Sequence, residues 1–297
     1  MPNTHRPRVG VIGGSGLYHM EGVEDLEEVR VTTPFGDPSD AVLVGRLDGQ
    51  PIAFLPRHGR GHRFAPHEIN ARANIWALKA LGVKWVFSVS AVGSLREDIA
   101  PGDLVIIDQF IDRTRARPST FFEDGVVAHV GFGDPLCPVA RGLLLKACAG
   151  ASALKSHDGG TYVCIDGPQF STRAESEMHR QWGAAVVGMT NLPEARLARE
   201  AELAYATIAM ATDYDCWHPG HDHVTVDAVL AVMHANVEKA QRVLRAAATL
   251  VADAPPSPAW NALEFAIMTA PGRIPASARG RLALLIEDRL SHMEKKP

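Results

Sequence analysis

Tyr205-Ala-Thr-Ile-Ala-Met-Ala-Thr-Asp213-Tyr-Asp215-Cys-Trp217 is a run of small and branched apolar residues that breaks abruptly on two carboxylates. Without polar alternation, such a run suits a strand buried on both faces, as in a parallel sheet covered by helices. Asp213 and Asp215 point to one side if the chain stays extended. A carboxylate at the mouth of an apolar strand is costly unless it is solvated, paired or protonated. This strand end is therefore a candidate site. His218, His221 and His223 follow at once, so Asp-x-Asp with His-x-x-His-x-His also reads as a metal cluster. The residues alone leave both readings open.

Strand ends of similar character recur along the chain. Val9-Gly-Val-Ile-Gly13-Gly14-Ser15-Gly16-Leu17 reads as a first strand breaking into a glycine-rich turn, either a phosphate loop or a plain tight turn. The dinucleotide fingerprint fails there, because His19 stands at the third glycine position. Residues 41–47 and 51–56 form a hairpin about Asp48-Gly49-Gln50. Its second strand delivers Arg57-His58-Gly59-Arg60-Gly61-His62-Arg63, which is either a solvated basic loop or an anion site. The spacing then predicts a helix over 66–81 and a buried strand over 83–89 that ends in Ser88-Val-Ser90-Ala91-Val-Gly93-Ser94. Residues 108–138 read as a long irregular stretch, a length that is usually functional or interfacial.

Beyond it, 138–150 reads as a helix and 160–165 as a strand, and Thr172 with Glu175 has capping-box spacing for a helix starting near Arg173. A strand over 184–188 ends in Met189-Thr190, where Thr190 is either an N-cap or a ligand for an anion at the next helix. Pro193 fits the first turn of that helix, which carries Arg196 and Arg199. In a helix over 225–250, Val226, Val229, Leu230, Met233 and Val237 form one stripe, which by pattern alone is core packing. Ala254-Pro-Pro-Ser-Pro258 breaks the chain, and 280–293 reads as an amphipathic helix. Strands alternating with helices indicate an α/β fold on a largely parallel sheet.

The 297 residues, 46% hydrophobic and 22% charged, are ordinary for a globular domain. A net charge of -4 gives no reason to expect nucleic acid or an anionic membrane as partner. No apolar run reaches the roughly 18 residues of a transmembrane helix, and the N-terminus leads into a strand without a signal-peptide core. Cys137, Cys148, Cys164 and Cys216 include no CxxC pair, so reduced thiols and a cytoplasmic location are expected.

Taken together, these segments resemble the 5'-methylthioadenosine phosphorylases of the purine nucleoside phosphorylase family. The likeness rests on Gly13-Gly-Ser-Gly-Leu17, Thr33-Pro-Phe-Gly36 with Pro38-Ser-Asp40, Arg57-His-Gly-Arg60, Asn74-Ile-Trp-Ala-Leu78 and Gly93-Ser-Leu-Arg-Glu97. It continues through Pro101 to Thr114, Gly167-Pro-Gln-Phe170, Arg173-Ala-Glu175 and Ala209 to Trp217. Any one segment is weak, and so many in order are specific. The resemblance implies a single-domain phosphorylase fold, a mixed and largely parallel sheet flanked by helices, over residues 1–255. Residues 256–297 would be a helical extension packing on the same domain or on a neighbouring subunit. It implies phosphorolysis of 5'-methylthioadenosine to adenine and 5-methylthioribose 1-phosphate, by a trimer with shared sites. No metal or organic cofactor is implied, with inorganic phosphate as co-substrate.

Carried over by position, Ser15, Arg57, His58, Ser90, Ala91 and Thr190 would hold phosphate. Phe170, Met189 and Tyr214 would contact the nucleoside, Asp213 and Asp215 would read the purine, and Ser171 would lie nearby. Val226, Val229 and Leu230 would line the methylthio pocket, with His129 reaching in from the next subunit. The chemistry fits: glycosidic cleavage leaves positive charge on the sugar and negative charge on the base, and a buried carboxylic acid can protonate that base. Two acceptors suit a 6-amino purine better than a 6-oxo one. Ser15 and Ser90 stand where the family commonly has threonine, Asp166 where it has glutamate, and Gly188, Asn191 and the histidines at 218–223 also depart. A broader purine nucleoside phosphorylase and a metal-dependent hydrolase are the competing readings.

Overall fold

The computed structural model describes residues 6–14, 17, 20–151, 154–219 and 226–294, with the backbone alone over 226–231. The strands are β1 Val9–Gly13, β2 Val23–Val29, β3 Val42–Leu47, β4 Gln50–Pro56, β5 Trp85–Ser94 and β6 Leu104–Ile106. After them come β7 Gln109–Arg113, β8 Ser156–Asp158, β9 Thr161–Ile165, β10 Val186–Gly188 and β11 Ala204–Asp213. The helices are α1 Ala71–Ala80, α2 Pro138–Gly150, α3 Arg173–Gln181, α4 Asn191–Glu200, α5 Val226–Leu250 and α6 Ala276–Met293.

The strands form one mixed sheet in the order β2-β3-β4-β1-β5-β10-β9-β7, with β11 on β5 and β6, and β8 on β6. Parallel ladders join β1 to β4 and β5, β11 to β5, β9 to β7 and β10, and β6 to β8. Strands β1, β5 and β11 alternate their side chains between two cores, as the pleat requires. Ile12, Val86, Tyr205 and Ala209 enter one core, with α1, α4 and α6. Val11, Phe87, Ile208 and Met210 enter the other, with α2 and α5. The uniformly apolar Tyr205 stretch is legible for this reason: both faces are covered. Among the described residues, no helix is long and apolar enough to cross a membrane.

Three local expectations change. The helix predicted over 66–81 starts at Ala71, because the Asn70 side chain accepts from the Ala73 N–H and caps it there, while Pro66–Glu68 forms a separate 3₁₀ turn. The 108–138 stretch contains β7, which pairs with β9 and carries its polar residues at the sheet edge. Strand β5 runs to Ser94, past the predicted end at Val89. Its small residues let it change neighbours: β1 pairs with it as far as Ser88, and β10 takes that edge, antiparallel, from Gly93. Residues 89–92 are thus left without a strand partner on one side. Ligands of open α/β sheets bind where neighbouring strands diverge in this way.

The tail belongs to the same body. Leu282, Ile286 and Leu290 of α6, spaced four apart, are buried with Ile75, Leu197 and Phe121, each worth about 2 kcal/mol of burial.

Candidate active site

The divergence at β5 opens a cavity of about 540 Å³. Val89, Ser90, Ala91, Val92 and Gly93 form its floor, with Met210, Thr212, Asp213 and Asp215 beside them at the end of β11. Arg57 and His58, after β4, and Met189 and Thr190, after β10, close one end. Phe170, half-exposed, and Ser171 lie on the rim before α3, and Met233 and Val237 of α5 supply an apolar wall.

At one end the groups suit an oxyanion. The Ser90 hydroxyl lies 3.1 Å from that of Thr190 and 3.2 Å from that of Tyr162. Thr190 occupies the N-cap position of α4 without a capping bond; its hydroxyl is turned to Ser90 and lines the cavity. Gly188 is required here: a Cβ on it would meet the Tyr162 hydroxyl at 2.1 Å. The Nδ1 of His58 sits 2.8 Å from the Phe64 carbonyl, which fixes the proton on Nδ1. Burial, with Arg57 adjacent, pushes the His58 pKa down to about 4 against the lift from Phe64, so the ring is neutral. His62, which the sequence reading passed over, stacks on it at 4.1 Å.

Arg57 is more deeply engaged than a loop arginine. Its Nε donates to Glu194 Oε2 at 2.8 Å and its Nη2 to Oε1 at 3.0 Å, while Nη1 donates to the Val89 carbonyl at 2.8 Å. The side chain is 2% exposed. Burial works against its charge, and the Glu194 carboxylate more than offsets that. The fork expected to grip phosphate is thus matched to a carboxylate; its Nη2 also donates to Ser88 Oγ at 2.6 Å, and Arg57 lines the cavity. Glu194 also accepts from Ser88 and Tyr205, each at 2.8 Å. Asn191 donates to the hydroxyls of Tyr205 and Thr207 at 2.6 and 2.9 Å, so its departure from the family pattern serves this buried network.

At the other end the two carboxylates meet. The strand turns after Asp213: Asp215 has φ 50°, and its N–H donates to Asp213 Oδ1 at 2.7 Å. The extended spacing that would set both on one side is therefore replaced by a turn that still brings both to the cavity. Thr212 donates to Asp213 Oδ2 at 2.7 Å. Burial raises the Asp213 pKa against these two bonds. Asp215 is raised by burial and by Asp213, with the Ser176 and Ser171 hydroxyls pulling it down. Asp213, held neutral longer than usual, can give a proton.

Other expected residues lie elsewhere. Tyr214 is off the cavity wall, because the turn sends its ring onto Trp217 and His218. His129 is exposed, its N–H bonded to the Ala266 carbonyl. His218 stacks on Tyr214 with Nε2 3.3 Å from Glu97. Ser15, His221 and His223, and the side chains of Val226, Val229 and Leu230, lie outside the described residues. Among those described, no group of three or more His, Cys, Asp or Glu is placed to hold a metal ion. Asp166, shorter than the family's glutamate, holds Arg117 at 3.1 Å, and Arg117 donates to the carbonyls of Met189 and Leu192 at 2.8 and 2.9 Å. The segment carrying Met189 and Thr190 is fixed in this way.

The chain resembles known proteins over most of its length. Residues 8–249 match the family model of the Phosphorylase superfamily. The S-methyl-5'-thioadenosine phosphorylase of Chloroflexus aurantiacus is 58% identical over 94% of this chain and 97% of its own. That of Thermosynechococcus vestitus is 55% identical over 94% and 98%. A crystal structure of methylthioadenosine phosphorylase from an antarctic soil metagenomic library superimposes with a TM-score of 0.91 at 49% identity, covering 95% of this chain and 99% of that one. A Schistosoma mansoni methylthioadenosine phosphorylase in complex with adenine gives 0.77 at 36% identity, covering 96% and 99%. The chain belongs to the Phosphorylase superfamily and, within it, to the S-methyl-5'-thioadenosine phosphorylases.

Proposed function

We propose that this protein catalyses the reversible, phosphate-dependent cleavage of 5'-methylthioadenosine to adenine and 5-methylthioribose 1-phosphate, with phosphate as co-substrate and no metal or organic cofactor. The observation that carries the reading is the cavity's pair of unlike ends, hydroxyls with His58 and Arg57 at one and raised carboxyls at the other, joined by apolar walls. Phosphate sits against Ser90, Thr190 and His58, with Arg57 supplying charge. Ribose lies over Met189, and adenine lies between Phe170 and the carboxyls. The methylthio group points to Met233 and Val237.

As the C1'–N9 bond breaks, its electrons go to the base and the sugar becomes cationic. Bound phosphate steadies that cation and then bonds to C1'. Asp213 transfers its proton to adenine N7, and Asp215 accepts from the 6-amino group. We assign the working form to a cytoplasmic homotrimer in which His129 enters a neighbour's site. The test is adenine release with and without phosphate, and with and without a chelator. Phosphate-dependent release indifferent to chelator is expected. Release that needs no phosphate, or that the chelator abolishes, overturns the reading in favour of a hydrolase.

A further inference from the structure

Only two side chains of α3, Ser176 and His179, are buried. They stand three apart on one helix face, and that face packs on the turn that follows β11. The helix is pinned there by Arg180, whose guanidinium lies 3.6 Å from the Trp217 ring centroid and whose Nε donates to the Leu95 carbonyl. Nine buried side-chain nitrogen and oxygen atoms lack a hydrogen-bond partner among the described residues, and five of them belong to this spot. They are Ser171 Oγ, Ser176 Oγ, both ring nitrogens of His179, and Asp215 Oδ2. Isolated burial of such atoms is costly, and clusters of them satisfy one another directly or through ordered water.

The members are complementary. Asp215 offers an acceptor, each serine a hydroxyl donor, and a neutral imidazole always carries one N–H. Burial shifts His179 towards its neutral form, with Asp215 and Glu175 working against that shift and Arg113 with it. Arg113 of β7, Glu175 of α3, and Asp215 are thus the charged groups that face it, with Asp213 and Cys216 the further titratable neighbours of Asp215. The Ser176 and Ser171 hydroxyls act on Asp215 in the direction of its ionised form, against its burial. An ionised Asp215 accepts from a 6-amino purine, whereas a protonated one donates to a 6-oxo purine. The state of this carboxyl therefore selects the base.

We propose that Ser176 and His179 are positioning residues whose hydrogen-bond donors keep Asp215 an ionised acceptor and so set the preference for 6-amino over 6-oxo purines. The proposal rests on the reading of Asp215 as a purine contact. It is tested by kcat/KM for methylthioadenosine and methylthioinosine from about pH 5 to about pH 9, using wild type, Ser176→Ala, His179→Phe and His179→Gln. His179→Phe keeps an aromatic ring against Trp182, and His179→Gln keeps a donor.

Ser176→Ala and His179→Phe should each lower the amino-to-oxo ratio about tenfold and move the acidic limb for methylthioadenosine to higher pH. His179→Gln should restore most of both. A ratio and limb unchanged in Ser176→Ala and His179→Phe overturn the proposal, even if thermal stability falls. Should His179→Phe fail to fold, Ser176→Ala alone decides. Wild type lacking phosphate-dependent adenine release would instead overturn the functional reading. Calorimetric binding of adenine against hypoxanthine to the same variants would then still test the role of the shell.

Discussion

Arg57 and Glu194 form a buried bidentate pair, 2.8 and 3.0 Å long, beneath the floor of the cavity. The carboxylate comes from α4, whose N-terminus follows Thr190, and the cation follows β4. The pair thus ties together two of the segments that form the oxyanion end. Its electrostatic character explains why a cation survives with its side chain 2% exposed.

Glu194→Gln leaves Arg57 charged, buried and unneutralised, a change that costs about 3–5 kcal/mol when a buried pair is broken. We expect a matching fall in the denaturant midpoint and, in the folded fraction, a raised KM for phosphate. A loss below about 1 kcal/mol, as for a solvated pair, would show that the pair is not buried in solution.

Asp213→Asn should lower kcat at least about 100-fold, the low end of a general acid's contribution, while phosphate still binds. The acid must be protonated to act, and burial raises its pKa. In wild type, kcat/KM should therefore fall as pH rises through that raised value, and the variant's residual activity should lack this limb. Near-normal turnover in Asp213→Asn removes Asp213 from the acid role.

Glu200 offers a stability test away from the site. Its carboxyl accepts from Phe121 N–H and the Thr120 hydroxyl, yet burial pushes its pKa up to about 7. A raised carboxyl binds its proton more tightly in the folded state, so stability falls as pH rises from the ordinary value, near 4.5, to about 7. Glu200→Gln keeps an acceptor without the charge. Melting curves should show the variant gaining on wild type between pH about 4.5 and about 7, by at most about 3 kcal/mol. Parallel curves across that window would contradict the assignment.

Gly93 is a spacer for the carboxyls. A Cβ on it would lie 3.0 Å from Asp213 Oδ1 and 3.2 Å from Asp215 Cβ. Gly93→Ala should displace Asp213 and lower kcat by about tenfold or more, given the sensitivity of catalysis to misplacement. A melting temperature within a few degrees of wild type is expected beside it. Unchanged kcat would mean that the carboxyl has room to move.

The sheet was largely legible because both faces of its central strands are apolar, and the Thr172–Glu175 capping box announced α3 correctly. Strand ends rich in hydroxyls, Ser90 and Thr190 above all, do converge on the cavity. Two kinds of information were not readable. The turn at Asp215, with φ 50°, moves Tyr214 off the cavity, and an aspartate adopting that conformation leaves no distinctive pattern in sequence. Glu194, Tyr162 and Arg117 act through partners distant in sequence, so no local signal marks them. A glutamate one residue after Pro193 reads as helix-start chemistry, although its partner lies 137 residues away. The β5 boundary failed for a related reason: the strand continues because β10 arrives, and pairing of that kind belongs to topology.

That change of partner along β5 has a consequence for how chemistry is distributed in this architecture. The aperture's floor is framed by backbone ladders to β1, β10 and β11, so strand pairing sets it, and binding spends little of its free energy on ordering those strands. Side chains that reach into it sit at fixed strand positions, like teeth on a comb. Exchanging one tooth alters which base, sugar or anion is accepted and leaves the frame unaltered. A scaffold of this type is predisposed to diversify in substrate while conserving the bond it breaks.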